Sequence, residues 1–127
     1  MLYPIVTYCE WAPTNEPAFY KTKDGVEYCI VTISKKFTMQ GQKIRATHRI
    51  TCYDSSCSKI KYLIDKNGYL KNVPLDIIAE EKPYVSNGEI MYSLQAIKIS
   101  LASSYYMQQE NNTKKAEPEL IQFMDSL

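Results

Sequence analysis

The chain has one histidine, one tryptophan and no two cysteines at Cys-x-x-Cys spacing. Zinc sites take close-spaced nitrogen and sulfur ligands, usually in pairs, so Cys9, Cys29, Cys52, Cys57 and His48 do not read as a metal centre. A lone histidine with no nucleophile spaced around it, and no glycine-rich phosphate loop, leaves catalysis without a constellation. Asp54 and Asp65 read as a helix cap and a helix surface residue, and Glu80-Glu81 as solvated hairpin carboxylates. The expectation is therefore a binding protein with no cofactor, not an enzyme. No apolar run approaches the roughly 20 residues of a membrane span. The N-terminus lacks a basic region followed by an apolar run, so no leader is expected. That points to a cytoplasmic chain with reduced thiols. No internal repeat is visible.

What is present is tyrosine. Eleven of the 127 residues are Tyr, against three Phe and one Trp. Tyr suits half-buried surfaces, with an apolar ring and a polar tip, and it favours strands. At this length the chain is one domain with room for a hydrophobic core. Net charge is only +1, but it is unevenly spread. Residues 33–71 hold nine Lys/Arg and two Asp, a local +7, and the remainder carries −6. A nearly neutral chain built this way can present a positive face.

Periodicity supplies the elements. Residues 2–9 are apolar and β-branched and read as a first strand. Residues 10–17 hold two prolines and read as a loop or bulge, and residues 18–21 resume extended structure. Lys23-Asp24-Gly25 is a hairpin-type turn signal. Residues 26–34 and 44–53 read as the second and third strands, joined by a basic loop over residues 35–43. Asp54, Ser55 and Ser56 are good helix N-caps, and Cys57, Ile60 and Ile64 follow at helical spacing up to the stop Asn67-Gly68. Residues 69–79 read as a fourth strand interrupted by Pro74, and residues 89–101 as the last. In that last strand Ile90, Tyr92, Leu94 and Ala96 share one face, then Ile97, Ile99 and Leu101 the other, which predicts a bulge. Five strands with one helix between strands 3 and 4 is the order of an OB-fold, an all-β Greek-key barrel. The Ile60/Ile64 side of the helix would close one end. Residues 1–106 are assigned to this domain. Residues 107–127 form a polar spacer and a short acidic and apolar tail, read as a partner-binding tip or as a helix packed on the barrel.

The third strand alternates cleanly. Ile44, Ala46, His48, Ile50 and Cys52 point inward, and Arg45, Thr47, Arg49, Thr51 and Tyr53 point outward. Guanidinium groups pair with phosphates and aromatic rings stack on unpaired bases. The candidate ligand is therefore single-stranded nucleic acid. Lys35, Lys36, Lys43, Arg45 and Arg49 are the phosphate-neutralising candidates, and Phe37 and Tyr53 the stacking ones, to which the resemblance given below adds Tyr84. Phe37 sits among lysines with no evident core role. Tyr53 reads equally as a barrel-surface residue, Tyr28 as core or platform, and Trp11 as a packing or interface residue. His48 reads as structural. Lys59, Lys61 and Lys66 read as the wet face of the helix.

With this order in hand, the chain resembles the bacterial-type single-stranded DNA-binding protein (SSB) family over roughly residues 4–101. Thr47-His48-Arg49-Ile50-Thr51-Cys52-Tyr53 resembles the family's third strand, typically Trp-His-Arg, about three apolar residues and Phe or Tyr. Ser34-Lys35-Lys36-Phe37 resembles the end of its second strand, where an aromatic stacks on DNA. Tyr84 lies near the tip of the last hairpin, where the family often has Trp. The chain departs by placing Thr47 where the family's Trp stands, and by lacking the long linker and acidic Phe-ended tip. The resemblance implies binding of single-stranded DNA in replication, recombination or repair. It also implies a homo-oligomer, dimer or tetramer, with His48 near a subunit interface. By analogy, the C-terminal segment would contact a replication or recombination protein. Rival readings are an OB-fold protein-interaction module of primosome or regulatory type, and RNA binding.

Overall fold

Strands here run as far as two-residue alternation and a compatible turn allow. In the computed structural model, residues 3–105 are described. They form β1 (Ile5–Pro13), β2 (Phe19–Lys21), β3 (Glu27–Met39), β4 (Gln42–Tyr53), α1 (Ser55–Asn67), β5 (Leu75–Ser86) and β6 (Glu89–Leu101). The sheet order is β1-β5-β6-β4-β3-β2, and a further β1–β3 pairing closes five of the strands into a barrel. That is the Greek-key order of an OB-fold. The sixth strand, β2, is hydrogen-bonded along β3 outside the closed barrel. Within residues 18–21, Phe19–Lys21 form a strand of their own, so the helix lies between the fourth and fifth strands rather than between strands 3 and 4. The C-terminal tail and the 106/107 boundary lie outside the described residues.

Of residues 10–17, expected as a loop or bulge, residues 10–13 stay in the sheet as a bulge and residues 14–17 connect β1 to β2. Pairing with β5 shifts between Tyr8 and Trp11, and Glu10 takes a φ of 60°. This bulge turns Tyr8 and Trp11, three residues apart, to the same buried side. The Glu10 N–H donates to Asp76 Oδ1 at 3.0 Å. The expected basic loop over residues 35–43 is also strand. β3 and β4 pair without a break from Tyr28 opposite Tyr53 to Met39 opposite Gln42. Gln40 and Gly41, with φ of 51° and 76°, make the reversal in two residues. Positive φ at both turn positions matches the twist of the flanking strands, so the hairpin needs no longer loop.

Pro74 does not interrupt a strand; β5 begins just after it and runs on through residues 80–86. Asn87-Gly88 repeats the two-residue reversal. The β6 slip is a bulge at the expected place. Ile78 pairs with Lys98 and Ala79 with Ala96, leaving Ile97 as the extra residue. Ile99 thereby returns to the core.

The core is filled by Val31, Ile33, Ile50, Leu75 and Ile77, all essentially inaccessible. Ile60 and Leu63 of α1 are buried against it, with Ile64 packed at its margin. Asp54 is the N-cap but makes no side-chain cap bond, and Gly68 ends the helix in the left-handed region. Lys59 and Lys66 flank the exposed Tyr62 ring. Lys61 donates to Glu27 Oε2 at 2.6 Å, and this bond holds the Glu27 carboxyl below its usual range.

Cys29 lies opposite Cys52 and, with Cys57, is fully buried, whereas Cys9 is exposed on β1. Hydrogen bonding to Cys52 and burial push the Cys29 thiol far up, and burial and Cys29 push Cys57 up to about 11. The thiolate is the reactive form, so these sulfurs are inert in the folded protein. An aromatic-disulfide thiol reagent at neutral pH should titrate one fast thiol per native chain and four in denaturant. Three fast thiols in the native state would contradict this packing.

Candidate nucleic-acid interface

The β3–β4 hairpin has two chemically different faces, because directly opposed residues point the same way. On the outer face the pairs are Tyr28 with Tyr53, Ile30 with Thr51, Thr32 with Arg49, Ser34 with Thr47, Lys36 with Arg45 and Thr38 with Lys43. Four cations thus share one face with a row of hydroxyls. Glu27 is the one acid in the hairpin and lies out of phase with this face. Arg45 Nη1 donates to Ser34 Oγ at 3.4 Å. Neither Arg45 nor Arg49 has an ion-pair partner among the described residues. Their guanidinium groups therefore remain available to an anion.

The inner face of the same hairpin carries Lys35, Phe37, Met39, Ile44, Ala46 and His48. Lys35 Nζ donates to the Cys9 carbonyl at 2.7 Å and lies 5.8 Å over the Phe37 ring. Phe37 lies 5.8 Å from Trp11, and His48 lies 5.4 Å from Trp11 and 5.2 Å from Tyr8. Tyr8 meets Trp11 edge-on at 5.2 Å. Burial, reinforced by Glu81, pushes the Tyr8 hydroxyl up. Lys35 and Phe37 are therefore separated from the other cationic candidates by the thickness of the sheet. His48 keeps the inward phase yet is exposed, since the hairpin rises past the end of the barrel.

β4 meets β6 in parallel through Ile50 opposite Leu94 and Thr51 opposite Gln95. Beyond this contact the two hairpins diverge and leave a cleft of about 290 Å³. Ile30, Arg49 and Thr51 line one side, and Tyr84, Tyr92 and Ser93 the other. Arg49 and Tyr84, far apart in sequence, are thus brought to one hollow. Tyr53 lies further along the outer face, its ring 5.6 Å from Tyr28, which in turn lies 5.5 Å from Tyr20.

The chain is similar in fold to single-stranded DNA-binding proteins. A mitochondrial single-stranded DNA-binding protein of S. cerevisiae, Rim1, superposes with a TM-score of 0.61 at 18% identity, over 80% of this chain and 95% of that one. The single-stranded DNA-binding protein of Thermus aquaticus gives a TM-score of 0.60 at 11% identity, over 80% of this chain and 50% of that one. No family model and no curated protein matches the sequence.

Of the sequence candidates, Lys36, Lys43, Arg45, Arg49 and Tyr53 share the outer face, Tyr84 joins Arg49 across the cleft, and Lys35 and Phe37 face the other way. Sequence reasoning missed Tyr20 and Tyr92. Tyr92 shares its strand face with Ile90 and Leu94, and alternation alone does not reveal its position beside the cleft. Tyr20 comes beside Tyr28 only through β2 pairing. No cluster of three or more His, Cys, Asp or Glu suited to a metal ion occurs among the described residues. No helix among them is long and apolar enough to cross a membrane. The two faces should separate by mutation. Trp11→Ala should cost about 3–5 kcal/mol of stability in urea titration, as for other buried aromatic truncations. Arg49→Ala, on the exposed outer face, should stay within about 0.5 kcal/mol.

Proposed function

We propose that this chain binds single-stranded DNA without strong sequence preference. The observation that carries the reading is the acid-free outer face, on which Lys36, Lys43, Arg45 and Arg49 lead to the Tyr84/Tyr92 cleft. Phosphates would be neutralised by the four cations, while Tyr84 and Tyr53 stack on bases. Passive binding of this kind needs positioned charge and rings, not a reacting group, and the reading assigns no catalytic step. The fold shared with single-stranded DNA-binding proteins supports it. Lys35 and Phe37 take a supporting role in this scheme. Lys35 ties the hairpin to β1 and Phe37 props it on Trp11, so the basic face is held at a set angle. The process served would be replication, recombination or repair in the cytoplasm.

Affinity for labelled oligo-dT should fall steeply with salt. Neutralising Z phosphates of a single strand gives a log–log slope of roughly −0.7Z, so four cations give about −2.8. Arg45→Ala and Arg49→Ala should each flatten the slope by about 0.7. Duplex DNA should bind far more weakly, because its bases are not free to stack. Oligo-U in a parallel titration tests RNA as the preferred strand. Failure to bind dT at low salt would overturn the reading.

The inner face supports homo-oligomerisation, as a dimer or tetramer. Met39 and Ile44 leave 58% and 46% of their surface exposed beside Phe37, itself 38% exposed. Exposed apolar side chains grouped on one hairpin face suit an interface between copies of the chain. Sedimentation should give two or four times 14.7 kDa. A 14.7 kDa species at micromolar concentration would count against assembly.

A further inference from the structure

The outer face does not end at the cleft. Ile30 and Thr51, which line it, are followed on the same face by Tyr28 and Tyr53. That is one side-chain step, about 7 Å along the strands. From there the rings run sideways across three strands: Tyr53 on β4, Tyr28 on β3 and Tyr20 on β2, with centroids 5.6 and 5.5 Å apart and interplanar angles of 38° and 31°. Tyr20 and Tyr53 are exposed and Tyr28 is half-buried. β2 itself is three residues long, pairs only with β3 and buries none of its side chains. A strand that covers no core adds little hydrophobic stabilisation. What β2 does add is one more ring to the outer face.

The geometry points to Tyr20 and Tyr28 as an extension of the stacking platform begun by Tyr53, on which further unpaired bases of the same strand lie after leaving the cleft. This rests on the single-strand-binding reading above and lengthens its footprint. Every base has a π-face, so a bare aromatic row accepts any sequence. The row carries no cation of its own, so its contribution is insensitive to salt, unlike that of Arg45 and Arg49. An order of occupancy follows as well: short oligomers occupy the cationic cleft first, and longer ones reach the tyrosines.

The test is a length series of dT oligomers, each titrated at two salt concentrations, against wild type, Tyr20→Leu and Tyr28→Leu. Leucine keeps apolar bulk and removes the π-face. Wild-type affinity should climb with length to a plateau. Both variants should match wild type on the shortest oligomers and fall roughly 5- to 100-fold below it on the longest. The deficit should be the same at both salts, and Tyr20→Phe should restore binding. Equal affinity of wild type and variants at every length would overturn the extension and leave the cleft reading standing. So would a lowered melting temperature with an unchanged length profile, which would make the row a brace for β2. If wild type binds no oligomer at all, the function itself fails and the extension with it. If Tyr28→Leu fails to fold, Tyr20→Leu on the exposed edge strand decides the question alone.

Discussion

The short parallel contact between β4 and β6 governs the geometry of the whole interface. Two antiparallel hairpins, β3–β4 and β5–β6, meet through Ile50–Leu94 and Thr51–Gln95 and then part. If the pairing continued, the sheet would be smooth and Arg49 would lie beside Ser93 with no hollow between. If it were absent, the barrel would be open and the hairpins would have no common frame. The contact survives because its residues are tied into the core: Ile50 is fully buried and Leu94 packs against the same cluster. α1 follows β4 directly and presses Cys57, Ile60 and Leu63 onto that cluster. The polar divergence above thus depends on the apolar closure below.

The β1 bulge does comparable work at the other side of the barrel. By turning both Tyr8 and Trp11 inward it supplies the ring surface on which His48 and Phe37 rest. An extended hairpin in water has little to stiffen it beyond its own ladder. Here aromatic contacts and the Lys35 bond to Cys9 brace it along its inner side. The lysine spent on this brace is unavailable to the opposite face, which is why charge count alone overstates the cationic surface.

Much of this was legible in the residues. Strict alternation in 44–53 sorted Arg45, Arg49 and Tyr53 from Ile50 and Cys52, and a phase slip located the bulge at Ile97. The positions of α1 and its Gly68 stop followed from period and cap chemistry. What escaped were features set by pairing rather than pattern. Lysines and a glycine in 35–43 look like a loop, yet Gln40-Gly41 alone satisfies the turn, so the strands run on and Phe37 acquires a face. β2 is too short for any periodicity and exists only because β3 offers it an edge. The Tyr20–Tyr28–Tyr53 row needs the register of three strands, which no single segment encodes. Arg49 follows from strand alternation and Tyr84 from the family resemblance, and only the fold shows that they line the same cleft.

The two-residue Gln40-Gly41 reversal has a further consequence. Along an antiparallel ladder, hydrogen-bonded and non-hydrogen-bonded pairs alternate, and a tight turn closes only one kind. The arm can therefore grow or shrink only by two residues on each strand at a time, a step of about 6.8 Å at the antiparallel rise. A single inserted residue would slip the register and exchange the basic and apolar faces. The reach of this arm is quantised: variation among related chains would come in whole steps, each adding one row of outward side chains and one row of inward ones.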